Sequence, residues 1–323
     1  MLRLNYLFLL IIIASFIHAQ SPSSVLTGTI TRENTNIKYF TAKVWPWEML
    51  MSGSRFTFAA GAGGRLYLNG LYINADYTYH YVDALAKNGS IISGNSIYEP
   101  TNSRDGDASI GYFFQKKTRG NVHVRIGGSL GAGHSNTDHY ATVIANYNKL
   151  FGFQMGYKQG FCNLTIPQGI IVRDAYIQPD HDIITTQGLN TYMEYGWYSF
   201  GATYGKIIDV AVDLEKYGHI DAHYMSRFYA NILLAKYSKL EDVYYKDYNN
   251  YKNTVNHLYV LDGHVKMSNI GFNIGWETMN IKKLSTTYGV ELGIMPGVKV
   301  SQSGNFYFIL KAKLALSKFF KEK

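Results

Sequence analysis

The feature that most restricts the fold is a period of two running along most of the chain. From Arg55 to Asn69, Phe56, Phe58, Ala60, Ala62, Leu66 and Leu68 share one face, while Thr57, Ala59, Gly61, Gly63, Arg65 and Asn69 share the other. Asn69-Gly70 follows, a dipeptide suited to the positive φ angles of a two-residue hairpin turn. The next segment resumes the alternation, with Leu71, Ile73, Ala75, Tyr77, Tyr79 and Tyr81 against Tyr72, Asn74, Asp76, Thr78 and His80. A residue pattern of period two puts alternate side chains on opposite faces of a strand, so these lines spell an antiparallel hairpin. The same alternation returns around Ile110, Val124, Phe153, Val210, Ile232, Phe272, Val290 and Leu310.

Length and charge distinguish this pattern from a soluble sandwich. Many of the segments run to ten residues or more, where a strand in a soluble protein has about five or six and a tilted bilayer-crossing strand about 9–11. One face carries full charges in mid-strand, at Arg65, Asp76, Arg125, Asp213, Arg227, Glu291 and Lys311. The other carries almost none. A polar lumen backed by an apolar, lipid-facing band produces this dyad, whereas a sandwich with one wet face accounts for the alternation but not for the length. The chain also holds 28 Tyr and 17 Phe. Rings with a polar tip suit the headgroup level of a membrane, and Tyr77, Tyr79, Tyr81, Trp197, Tyr198, Phe319 and Phe320 fall near expected strand ends. The expected fold is therefore all-β, a closed antiparallel transmembrane β-barrel.

Strands are expected at 37–45, 54–68, 71–82, 106–117, 121–134, 138–146, 149–158, 162–172, 190–204, 206–216, 221–237, 263–278, 287–298 and 305–318. That makes fourteen, or twelve if one of the weaker hairpins is lost, and an even number suits a bacterial barrel with both termini on one side. Asn69-Gly70, 118–120 and 217–220 then read as short periplasmic turns, and 83–105 and 238–262 as long outer loops. The stretch 173–189 breaks the rule, being long yet falling on the periplasmic side.

The first residues address the compartment. Arg3 precedes an apolar run from Leu7 to Ala14, and Ile17-His18-Ala19 offers a small residue before a cut, the layout of a signal peptide over 1–19. No cysteine follows the cut, so a lipid anchor is not expected there. Residues 20–323 are expected to form one barrel domain, with 20–36 as an N-terminal periplasmic segment. The chain has 1 Cys, so no intramolecular disulfide can staple it. Its net charge of +8 is not gathered into a dense Lys/Arg patch. That disfavours nucleic acid and leaves anionic headgroups or an anionic solute as the counterpart.

With the signal segment, the repeated dyads and the closing strand Asn305-Phe306-Tyr307-Phe308-Ile309-Leu310-Lys311-Ala312-Lys313-Leu314-Ala315-Leu316, the chain resembles bacterial, porin-like outer-membrane β-barrel proteins. It departs from them at the end, where Phe319-Phe320 is followed by Lys321-Glu322-Lys323 and the aromatic is not terminal. The resemblance implies residence in the outer membrane of a Gram-negative-type bacterium, contact with its lipid and insertion by the barrel-assembly machinery. It implies no solute.

Chemistry-bearing residues are sparse. Asp105-Gly106-Asp107, and Asp180-His181-Asp182 with Asp174, supply carboxylates of the kind hard cations take, but neither has the spacing of a calcium loop, and a solvated polar loop is the plainer reading. His134, Ser135, Asp138 and His139, and separately His219, Asp221 and His223, crowd two turns without the spacing of a catalytic triad. No catalytic, metal or cofactor residue is assigned. The charged inner face is the stronger lead, with Arg65, Asp76, Arg125, Arg227, Glu291, Lys311 and Lys313 as lumen-lining candidates and Lys158, Asp107, Asp209, Asp213, Glu215 and Glu277 on the same face. Three functions fit: a porin-like channel for passive passage of small solutes, a structural or docking barrel of a surface or secretion assembly, and a rim enzyme acting on lipid. The first is the leading expectation, with no enzymatic activity.

Overall fold

A computed structural model describes residues 28–52, 55–85, 103–125, 140–166, 169, 171–185, 189–215, 218–248, 254–261, 267–281, 284–298 and 306–319. The expected signal peptide, the loop residues 134–139 and the final Lys321-Glu322-Lys323 lie outside them. The described strands in the first half are β1 (Gly28–Glu33), β2 (Lys38–Ser52), β3 (Arg55–Leu68), β4 (Leu71–Leu85), β5 (Arg104–Arg125), β6 (Tyr140–Ile166), β7 (Ile171–Asp174) and β8 (Gln178–Ile184). The rest are β9 (Leu189–Leu214), β10 (Gly218–Leu240), β11 (Val243–Tyr248), β12 (Thr254–Val260), β13 (Met267–Ser268), β14 (Ile270–Asn280), β15 (Leu284–Ile294), β16 (Gly297–Val298) and β17 (Phe306–Phe319).

Ten of these close a ring in the order β9-β10-β14-β15-β17-β2-β3-β4-β5-β6, with β6 returning to β9. The fold is thus a closed antiparallel β-barrel, of ten strands rather than twelve or fourteen. The difference is one of merging. As far as they are described, the expected segments 106–117 and 121–134 belong to β5, 138–146 and 149–158 to β6, 162–172 to β6 and the start of β7, and 190–204 with 206–216 to β9. Thr118-Arg119-Gly120, expected as a turn, lies inside β5. The gaps between the expected strands at 159–161 and at 205 each hold a glycine at which two backbones approach closely. A Cβ on Gly160 would run into the Arg104 carbonyl, and one on Gly205 into the Ser226 carbonyl. At such places only a bare backbone lets the neighbouring strand come in. Asn69 and Gly70, with φ of 48° and 103°, do form the turn their sequence spells.

Merging also removes the anomaly at 173–189. Because strands alternate in direction, the β3–β4 and β14–β15 connections fall at one end, here the turn end. The β4–β5, β6–β9 and β10–β14 connections fall at the other, the loop end. The 173–189 stretch therefore joins the long connections. There β7, β8, β11 and β12 form a separate sheet in the order β11-β12-β7-β8, and β13 pairs with β16. Pro46 lies where the β2–β3 register shifts between Trp45 and Glu48, a bulge in which its missing N–H costs no ladder bond.

The chain divides into two compact units. The larger holds parts of all ten ring strands. The smaller gathers β1, β5 from Lys117, β6 up to Asn148, β9 from Ile208 and β10 up to His223. In the larger unit the outward face is apolar: Ile110, Phe114, Phe153, Phe200, Phe228, Ile232, Phe272, Ile274 and Leu314 are all exposed. In the smaller unit the outward assignment fails. Val124, expected to face lipid, is fully buried, as are Ile208, Val210 and Val212, because apolar positions on these strand segments are covered instead of presented. Ile126 and the side chain of Arg125 lie outside the described residues. Asp213 and Glu215, expected to face the lumen, are exposed.

Candidate functional site: the barrel interior

Where one face of a ring strand meets the outside, the other must point inward, and in the larger unit that interior is filled in layers. Near the turn end, Ile37, Tyr39 (β2), Tyr67 (β3), Tyr72 (β4), Phe113 (β5), Leu150 (β6), Ile207 (β9), Met225 (β10), Met279 (β14) and Ile281 form one buried apolar cluster. Eight ring strands contribute, so the cluster crosses the interior from wall to wall. Its rings stack, Tyr39 on Tyr67 at 5.5 Å and Tyr72 on Phe113 at 5.1 Å between centroids. The parity that carries Tyr67 and Tyr72 inward was visible beside the Asn69-Gly70 turn. That they meet Phe113 and Met279 was not, because alternation assigns faces and says nothing of how far a side chain reaches.

A charged layer rests on these rings. Arg65 and Arg227 lie over Tyr72, at 5.3 and 4.5 Å from its centroid. Both donate to Glu277, Arg65 Nη2 at 2.6 Å and Arg227 Nε at 3.0 Å. Beside them Asp76 is held between Lys43 at 2.7 Å and Lys313 at 2.8 Å, and the Lys313 ammonium sits 3.7 Å from the Trp45 ring. Asp105 pairs with Lys158 at 3.2 Å and His80 at 3.0 Å, and Lys311 lies 3.7 Å from Glu48. Glu291 accepts from Tyr229 at 2.6 Å, Tyr307 at 2.7 Å and Asn273 at 3.1 Å. Amides link these groups: Asn231 donates to Asn273, and Gln154 to Asn231.

The candidates Arg65, Asp76, Arg227, Glu291, Lys311 and Lys313 thus line a single interior cavity of about 110 Å³ together with Asp105, Asp107, Lys158 and Glu277. A polar space of that size holds several waters, each of which needs roughly 10–15 Å³. Lys43 and Glu48 were missed from sequence, although Lys43 stands on the polar face of the expected strand 37–45, and His80 was placed on the polar face of its strand without a charge partner. Among the described residues the charges balance: Glu48, Asp76, Asp105, Asp107, Glu277 and Glu291 face Lys43, Arg65, Lys158, Arg227, Lys311 and Lys313. Asp105, read from sequence as part of a solvated loop, lies in β5, where it is buried against its cations, and Asp107, expected on the inner face of 106–117, lines the cavity.

At the loop end Cys162, Val172, Leu189, Met193, Tyr195, Trp197, Leu233, Leu240, Val243, Tyr259 and Leu261 join the upper barrel to the β7–β12 sheet. Asp174 ties that sheet together. It faces His257 Nδ1 at 2.6 Å and accepts from the backbone amides of Tyr176, Ile177 and Leu258. Burial alone raises a carboxyl pKa, but these bonds prevail and hold Asp174 below the ordinary carboxylate range. So Asp174 is turned to His257 and not to Asp180 or His181, which are exposed on β8. Among the described residues no group of three or more His, Cys, Asp or Glu is arranged to hold a metal ion. His219, Asp221 and His223 open β10 in the smaller unit, beside Asp209, Asp213 and Arg32.

The fold and its interior define a class: a closed β-barrel with an apolar exterior and a charged interior, the form in which strands can cross a bilayer without leaving backbone groups unpaired. That form is compatible with an integral membrane barrel and with a porin-like channel. No protein-family model matches the chain, and no curated protein matches it. Among solved structures, the CymD monoaromatic hydrocarbon channel aligns over 90% of both chains with 7% sequence identity and a TM-score of 0.19, which carries no argument about function.

Proposed function

We propose that the protein is an integral outer-membrane barrel with a structural interior and no enzymatic role, serving as a docking barrel through the sheet of β7, β8, β11 and β12 at its outer end. In this reading the apolar exterior contacts outer-membrane lipid, the signal segment directs export, and the barrel-assembly machinery inserts the chain. The β3–β4 and β14–β15 connections then face the periplasm, and the β4–β5, β6–β9 and β10–β14 connections the outside. One observation carries it: the shared Glu277, which bonds Arg65 of β3 and Arg227 of β10 over a wall-to-wall apolar layer. A general diffusion pore leaves its lumen to water, whereas here paired charges and stacked rings take that space. Purified, folded protein in a planar bilayer is expected to show no steady conductance. Ohmic conductance from the wild type would overturn the structural interior.

A second reading is favoured by the polar cavity of about 110 Å³. In it the barrel is a porin-like channel for small solutes, and the structure is its closed form. Because the interior charges balance, such a channel would have little preference between anions and cations. Brief, voltage-dependent openings in the same recordings, prolonged in Glu277→Gln, would support it. A wild type and a Glu277→Gln variant that are both silent would leave the docking barrel.

A further inference from the structure

The first strand is held unlike any strand of the ring. β1 pairs along the edge of β9, from Gly28 opposite Leu214 to Glu33 opposite Val210, with a register shift between Ile30 and Arg32. Of its six residues only Ile30 is half-buried and the others are exposed, so it removes little apolar surface from water. Fit and charge retain it instead. Gly28 lies so close to β9 that a Cβ there would stand 2.5 Å from Leu214 Cδ2 and 2.9 Å from Val212 Cγ1.

Arg32 provides the charge. Its Nη2 is 2.8 Å from Asp221 Oδ1, 3.4 Å from Asp209 Oδ1 and 3.0 Å from His223 Nε2. The other ring nitrogen of His223 is 2.6 Å from Asp209, so a carboxylate orients the imidazole with Nε2 turned to the guanidinium. On the far side of β1, the Glu33 carboxylate accepts from the backbone amide of Asn146 at 2.9 Å and from the Asn146 side chain. A strand clamped by polar contacts but without an apolar anchor belongs to the segments that open locally at low cost. Under it lies an edge whose side chains, Val210, Ala211, Val212 and Leu214, are buried and whose backbone is ready to pair.

We propose that the Val210–Leu214 edge of β9, with the Asp209, Asp221 and His223 pocket beside it, is a strand-accepting site for an extended segment bearing an arginine. Residues 28–33 occupy it in cis and leave it reversibly. The ladder supplies sequence-tolerant pairing and the acidic pocket supplies selection for a guanidinium over an apolar side chain.

Two measurements on the full chain, folded in detergent, test this. The first is backbone hydrogen exchange in the wild type, in Arg32→Ala and in Gly28→Val, the last of which disturbs the fit and spares the charge. Exchange over 210–214 is expected to rise about tenfold or more in both variants while that over 288–293 stays unchanged. Unchanged rates over 210–214 in both variants would overturn the reversible latch. The second is binding of a labelled peptide copying residues 28–34. It is expected to bind Arg32→Ala saturably, and about tenfold more weakly when its own arginine is replaced by alanine. Equal binding of the two peptides, or no binding to a folded variant whose edge exchanges fast, would overturn the site. Gly28→Val serves for the peptide as well, should Arg32→Ala not fold.

Discussion

Single residues differ most in what their loss would strand. Arg65 is 2% exposed, and its guanidinium shares Glu277 with Arg227. Glu277→Gln would leave two inward guanidinium groups with a neutral partner. Removing one side of a buried pair costs about 3–5 kcal/mol, because the remaining charge stays desolvated. Urea titration of protein folded into liposomes is expected to show a loss of that size. Neighbouring positions on β17 make a sharper contrast. Leu310→Lys places a charge on the apolar exterior and is expected to cost about 2–4 kcal/mol. Lys311→Leu puts no charge there, yet it strips buried Glu48 of the ammonium 3.7 Å away. It too is expected to destabilise, and the double variant Lys311→Leu/Glu48→Gln should recover most of the loss, a coupling that a double-mutant cycle measures.

Among the elements, the loop-end sheet should respond to acid. Asp174 titrates below an ordinary carboxyl, so its bonds to His257 and three amides contribute stability in full above about pH 4, the unfolded value. That contribution is lost as the pH falls through the depressed value. Hydrogen exchange over 171–174 and 254–260 is therefore expected to quicken on acidification below pH 4 in the wild type. In Asp174→Asn it should be fast already at neutral pH, and flatter with pH. A similar acid response in the variant would assign the effect to another group. The β9–β10 seam should be sensitive to size instead. Gly205→Val would drive a side chain into the Ser226 carbonyl, and a lower yield of folded, heat-modifiable barrel is the expected outcome.

For the molecule as a whole, the exterior belt can be mapped directly. In a Cys162→Ser background, bimane at positions 153, 272 and 274 should be quenched by nitroxide lipids, and at 231 and 273 it should not. This closed barrel was legible in sequence from the Asn69-Gly70 hairpin and from mid-strand charges such as Arg65 and Lys311. The strand number was not. Gly160 and Gly205 look like turn residues until the neighbouring backbone is in view, and the tertiary approach, not local propensity, decides their role. Nor was the state of the interior legible. The sequence showed that Arg65, Arg227 and Glu277 share a face, but only the ring's circumference determines that three strands bring them to one point. The smaller unit was misread for a related reason: Val124 and Val210 are apolar at alternate positions whether lipid or protein covers them.

The bond from Arg65 to Glu277 joins residues 212 apart in sequence, on strands four places apart round the ring. Hairpins such as β3–β4 close from local contacts, but these two side chains meet only when the sheet has rolled nearly shut. The pair therefore belongs to the last moments of assembly and is absent from the transition state that precedes closure. Weakening it should leave the rate of insertion almost unchanged and hasten the departure from the folded state. In time, then, Glu277 acts as a bolt drawn after the door has closed, and the persistence of the closed barrel, rather than its closing, is what that carboxylate governs.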